Sequence, residues 1–195
     1  MRRWRDVLNI PAPSVLSMRA IILPGNNDTR ITSNWYLWAK EKLEDMGLDV
    51  IARDMPDPVV ASRSVWVPFI AEHASWPEDT ILIGHSSGAT AIMRYLEEGR
   101  CALAILVGGC YTDLGDDLEK QSGYYDDPWR WERMREHAQR IVIFASTDDP
   151  YIDVSEPRFM HGKLRGTYHE YTDRQHFDEE TFPELIDVVR DFLNG

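Results

Sequence analysis

From Arg19 onward the chain alternates short, continuous apolar runs with amphipathic stretches of helical length, and this alternation limits the available folds more than any other feature. The runs are Arg19–Leu23, Leu48–Arg53, Thr80–Gly84, Ala102–Val107, Ile141–Ala145 and Thr167–Tyr171. Most lack the strict polar alternation of a strand with one wet face, so they read as strands covered on both sides. Strands of that kind separated by helices build a parallel sheet. The expected class is therefore α/β, with six parallel strands sandwiched between helices in three layers.

The helical stretches have readable ends. Trp35, Trp38, Leu43 and Met46 recur at helical spacing and Gly47 stops them, which makes the tryptophans core residues rather than ligand contacts. Near the end, Thr181-Phe182-Pro183-Glu184 fits a capping box, followed by an apolar face of Leu185, Ile186, Val188, Val189, Phe192 and Leu193. With no internal repeat or long Gly/Ser linker, residues 19–195 read as one domain. Residues 1–18 read as a loose extension ahead of it. Arg2, Arg3 and Arg5 faintly resemble a presequence, but Asp6, Pro11 and Pro13 break that pattern.

Charge and cysteine content exclude several partners. The chain has 195 residues, with 21 Lys plus Arg against 33 Asp plus Glu, and a net charge of −12 repels a nucleic-acid backbone. The longest apolar run, Cys101 to Cys110, is far short of the roughly 18 residues that span a bilayer, so no membrane partner is expected. The two cysteines cannot form a disulfide framework or a zinc site, which points to a reducing, cytoplasmic setting.

The third run ends in Gly84-His85-Ser86-Ser87-Gly88 and passes directly into a helical stretch. A Gly-x-Ser-x-Gly between a strand and a helix is the setting of a nucleophile elbow: the serine occupies a tight, strained turn, and the flanking glycines remove side chains that would clash there. Ser86 is the expected nucleophile, with Ser87 one residue off the centre. His85 is expected to point away and pack. The Ser87 N–H, at the start of the helix, can receive a developing oxyanion.

A serine hydroxyl is too weakly acidic to attack unaided, so a base and an orienting carboxylate must follow, in the order Ser, acid, His. The fifth run ends in Ser146-Thr147-Asp148-Asp149-Pro150, with two carboxylates at the edge where open parallel sheets place their sites. Pro150 restricts the residue before it, which favours Asp149 over Asp148. The sixth run is followed by Thr172-Asp173-Arg174-Gln175-His176, and His176 is the best placed of six histidines. A second oxyanion donor is expected after the first strand, in Leu23-Pro24-Gly25-Asn26, from the N–H of Asn26. The aromatic segment after the fourth strand, with Tyr111, Tyr124 and Trp129, can supply either a substrate wall or simple packing. No glycine-rich nucleotide motif and no zincin motif is present, so neither cofactor nor metal is expected.

At these residues the sequence resembles the retinoblastoma-binding protein 9 family, small serine hydrolases of the α/β-hydrolase fold. The likeness runs from Arg19 to Leu193. It includes Gly84–Ala89, Leu23–Asn26, Asp54–Pro58, Ser146–Pro150, Tyr111-Thr112, Asp113–Asp116, Ser122–Tyr124 and Pro128-Trp129. It implies a triad of Ser86, Asp149 and His176, and it adds most where the residues alone left Asp148 open. The family is also named for binding a retinoblastoma-type pocket protein through Leu-x-Cys-x-Glu. The corresponding stretch here, Glu72 to Asp79, has neither the leucine nor the cysteine, so that partner is not carried over. The expected partner is a small acyl substrate, an ester, thioester or amide, cleaved through an acyl-enzyme. The competing expectation is a hydrolase-like scaffold that mainly binds protein.

Overall fold

A computed structural model describes residues 18–74 and 77–195. The expected extension before Met18, and Ser75-Trp76 within the stretch matched to Leu-x-Cys-x-Glu, lie outside the described residues.

Six strands form one all-parallel sheet: β1 (Arg19–Leu23), β2 (Asp49–Ala52), β3 (Thr80–His85), β4 (Cys101–Val107), β5 (Ala138–Ser146) and β6 (Thr167–Tyr171), in the order β2-β1-β3-β4-β5-β6. Continuous apolar runs make this possible because both faces are covered. Ile21, Leu23, Leu82, Ala104, Leu106, Ile141 and Ile143 face one apolar layer, while Ala20, Ile22, Ile81, Ile83, Ile105, Val142 and Phe144 face the other.

The first layer is closed by α2 (Arg63–His73), α3 (Ser87–Leu96), α5 (Trp131–His137) and α6 (Ser155–Leu164), through residues such as Trp66, Ile70, Ile92, Met134 and Met160. The second is closed by α1 (Tyr36–Asp45) and α7 (Pro183–Asn194), through Tyr36, Ala39, Leu43, Leu185, Ile186 and Val189. A short α4 (Asp117–Ser122) lies in the β4–α5 connection, where Asp116 caps it by accepting from the N–H groups of Leu118 and Glu119 at 2.8 and 3.0 Å. Among the described residues no helix is long and apolar enough to cross a membrane.

Two readings of local sequence need correction. The expected capping box at Thr181 does not form. Helix α7 starts at Pro183 with Phe182 as its cap residue, because proline is pre-set for the first helical position and lacks the N–H that a cap would satisfy. Glu184 pairs with Arg174 instead. Strand β5 begins three residues before the expected Ile141, since Ala138 and Arg140 pair with Cys101 and Leu103 despite the polar Gln139 and Arg140.

The long β4–α5 connection is pinned by buried charge. Glu156 on α6 accepts from the N–H groups of Tyr111 and Thr112 at 2.9 and 3.0 Å and from the Thr112 hydroxyl at 2.7 Å. Further along, the buried guanidinium of Arg94 donates to the carbonyls of Tyr124 and Asp127, pairs with Glu97 at 2.7 Å and lies 3.6 Å over the Trp129 ring. Such a charge is tolerated in the interior because every face of it is bonded or stacked.

Candidate active site

The chain leaves β1 for β2 at the edge and returns across β1 to β3, so the loops leaving β1 and β3 diverge in opposite directions. Open parallel sheets bind ligands at the carboxyl ends of such strands. Ser86 sits there, between β3 and α3, with φ 55° and ψ −124°. This left-handed conformation is costly for a residue with a Cβ. It is enforced by the Ser86 N–H bonding to the Val107 carbonyl at 2.9 Å and by the close approach of α3 to β1. A Cβ on Gly88 would lie 2.5 Å from the Leu23 carbonyl oxygen and 2.6 Å from that of Pro24, so only glycine lets the helix start this near the strand. The hydroxyl of neighbouring Ser87 is buried and donates to Glu119 Oε1 at 2.8 Å, whereas Ser86 is half-buried and lines an open cleft.

Asp149 and His176 meet across the loops after β5 and β6. His176 Nδ1 donates to Asp149 Oδ2 at 2.8 Å, and the Asp149 carboxylate is almost wholly buried. Its other oxygen accepts from the N–H groups of Tyr151 and Ile152 at 2.9 and 3.0 Å. Asp148 has different work. Its Oδ1 accepts from Ser146 Oγ at 2.5 Å and from the Gln175 N–H at 2.9 Å, which ties the β5 loop to the segment carrying His176. The Ser146 hydroxyl, first among several donors, holds the Asp148 carboxyl below its usual range. Gly108 ends β4 at φ 52°, and a Cβ there would press within 3.3 Å of the His176 ring. His176 and Ser86 line the same cleft of about 660 Å³. Among the described residues no hydrogen bond joins them. In resting hydrolases this contact is often long and tightens only on substrate.

His85 makes its hydrogen bonds to Tyr36 and to the His176 backbone rather than to Ser86, and so does more than pack. It is 2% exposed; its Nε2 donates to the His176 carbonyl at 2.6 Å, and its Nδ1 accepts from the Tyr36 hydroxyl at 2.6 Å. Because a carbonyl can only accept, these partners fix the neutral tautomer. Burial, and then the nearby His176, hold the ring's pKa down to about 3 from an ordinary 6.5.

The sign of the linkage follows from that depression. Between about 3 and about 6.5 the unfolded chain binds a proton that the folded chain refuses, so stability is full above 6.5 and falls as pH drops through this window. Each pH unit crossed removes up to about 1.4 kcal/mol through this ring. Denaturant unfolding of wild type and His85→Gln between pH 7 and pH 4 is expected to give a shallower loss in the variant. Parallel curves would refute the assignment.

The N–H groups of Asn26 and Ser87 face no acceptor among the described residues. Both residues are tied through their side chains to Glu119, which nothing in the sequence reading singled out. The proposed aromatic wall is placed elsewhere. Tyr124 is fully buried, Trp129 donates to the Tyr111 carbonyl at 2.8 Å, and Tyr111 stacks on Phe159; none of the three lines the cleft. Tyr151 does line the cleft, 68% exposed and edge-on to His176 with ring centroids 5.1 Å apart. Cys110 also lines the cleft, but burial pushes its thiol up to about 12, so it stays protonated and unreactive at neutral pH.

A family model described as serine hydrolase matches residues 20–185. The chain is 41% identical over 177 residues to serine hydrolase RBBP9 of Rattus norvegicus, covering 90% of this chain and 95% of that protein. Among solved structures, it is similar to the ydeN gene product of Bacillus subtilis, with TM-score 0.83 and 22% identity over 91% of this chain and 100% of that one. It is also similar to the Pyrococcus furiosus esterase Pf2001, with TM-score 0.69 and 15% identity over 91% of this chain and 82% of that one.

Proposed function

The chain belongs to the serine hydrolase family, and we propose that it cleaves a small ester, thioester or amide through Ser86, His176 and Asp149. One observation carries this reading: a serine forced into the left-handed region opens onto the same cleft as a histidine whose Nδ1 is bonded to a buried carboxylate. With Nδ1–H held by Asp149, His176 Nε2 is the basic nitrogen. It takes the Ser86 proton as Oγ bonds to the acyl carbon, and the carbonyl oxygen becomes an oxyanion received by the N–H groups of Asn26 and Ser87. His176 then gives the proton to the leaving group, the C–O, C–S or C–N bond breaks, and water repeats the sequence on the acyl-serine. Asp149 stays ionised throughout and steadies the imidazolium.

The cleft favours acyl groups without negative charge. Asp116, Glu119 and Asp178 line it, and among the described residues no lysine or arginine does. Like charges facing an anionic substrate lower its affinity and slow its approach.

A fluorophosphonate probe tests the nucleophile. Intact-mass analysis is expected to show one phosphonyl adduct per chain, on the peptide containing Ser86, and a short p-nitrophenyl ester should slow its formation. An unlabelled folded protein, or an adduct mapped to Ser87, would overturn the reading.

A further inference from the structure

We infer that Glu119 is a positioning residue for the oxyanion hole, an inference that rests on the function proposed above. The carboxylate is 8% exposed and lies on α4, far in sequence from both loops that it joins. Its Oε1 accepts from Asn26 Nδ2 and from Ser87 Oγ, each at 2.8 Å, and its Oε2 accepts from the Tyr125 hydroxyl at 2.8 Å. One oxygen atom is thus shared by the side chains of the two residues whose backbone N–H groups form the hole. It fixes the gap between the β1 loop and the start of α3. The Asn26 peptide is held on its other side as well, because its carbonyl accepts from the Thr29 hydroxyl at 2.6 Å and the Thr29 N–H at 3.1 Å.

A negative charge close to a developing oxyanion is unfavourable by itself, so the benefit of Glu119 lies in geometry. Three donors are spent on the carboxylate, and the hole gains two N–H groups at a set separation before substrate arrives. Preorganised donors of this sort contribute because they need no rearrangement as charge develops. A glutamine preserves that role. Its Oε1 accepts from Asn26 and Ser87, and its amide N–H donates to Tyr125, whose hydroxyl turns to Cys110 Sγ, already 3.2 Å away.

Steady-state hydrolysis of a short p-nitrophenyl ester separates the possibilities. Glu119→Ala is expected to lower kcat about 10- to 100-fold, less than outright removal of a hole donor, with KM changed by under about 3-fold. Glu119→Gln should recover kcat to within about 3-fold of wild type. Asn26→Ala, which keeps the backbone N–H and loses only the tether, should lower kcat about 10-fold; combined with Glu119→Ala it should add under about 2-fold, since both cut one linkage.

Wild-type kcat in Glu119→Ala, equal losses in the Gln and Ala variants, or multiplicative losses in the double variant would each overturn the inference. If Glu119→Ala does not fold, Asn26→Ala and Glu119→Gln carry the test, and wild-type kcat in Asn26→Ala refutes it. Fluorophosphonate labelling of the wild type keeps the two failures apart. An unlabelled wild type removes the serine-hydrolase mechanism altogether, whereas a labelled one with an indifferent Glu119 removes only the positioning role.

Discussion

Ser86→Ala is expected to lower kcat/KM about 10⁵- to 10⁶-fold, because the nucleophile and its base act as a unit and loss of either leaves only binding and oxyanion stabilisation. The fold should survive, since Ser86 is half-buried and opens onto the cleft rather than into either apolar layer. A companion variant makes the result more informative. Ser86 holds φ 55° and ψ −124°, a region that glycine occupies without a Cβ clash. Ser86→Gly should therefore be as inactive as Ser86→Ala yet more stable, by about 1 kcal/mol, or about 2–4 °C in Tm for a chain of this size. Ester hydrolysis and thermal unfolding of both variants check the pair. Substantial turnover in the alanine variant would remove Ser86 from the reaction, and a glycine variant less stable than the alanine variant would show that the elbow stores no strain.

Asp149→Asn should cost about 10⁴-fold in kcat with little change in fold or substrate affinity. Asp149 Oδ1 is claimed by the N–H groups of Tyr151 and Ile152. An asparagine must keep its carbonyl oxygen there, since its amide nitrogen cannot accept, and this turns the NH₂ group toward His176 Nδ1. Two donors cannot share that contact, so the ring takes its proton on Nε2 instead. The histidine is then present, packed and in the wrong tautomer to receive a proton from Ser86. Activity within about 10-fold of wild type would mean that Asp149 does not orient the base, and a comparable loss in Asp148→Asn would transfer that role to its neighbour.

The sheet was legible because its information is local. The continuous apolar run of β1 marks a strand covered on both faces and β6, a half-exposed edge strand, also keeps its expected bounds, whereas the first residues of β5 were hidden by Gln139 and Arg140, whose pairing with β4 depends on tertiary context. Ser86 could be nominated from the Gly-x-Ser-x-Gly turn and Asp149 and His176 from the order Ser, acid, His at strand ends, with Pro150 and the family resemblance favouring Asp149 over Asp148. The surroundings could not. Glu119 closes the acidic stretch Asp113–Glu119, and its partner Asn26 is 93 positions away, so nothing local marks it. Tyr124 and Trp129 read equally well as wall or core. The deciding residue is Arg94, a charge on a mostly apolar helix, which holds the Tyr124 carbonyl and stacks on the Trp129 ring. His85 gave a half-correct signal: it does avoid Ser86, but nothing local shows that it grips the carbonyl of His176.

The β4–α5 connection is clamped at both ends, by Glu156 at Tyr111 and Thr112 and by Glu119 and Arg94 further on, while Leu114, Gly115, Asp116 and Leu118 between the clamps border the cleft. Asp116 and Glu119 belong to both groups, since both line the cleft while Asp116 caps α4 and Glu119 holds Asn26, Ser87 and Tyr125. Variation of the cleft lining is therefore freest at Leu114, 38% exposed, where a change of side chain leaves both clamps and the α4 cap in place.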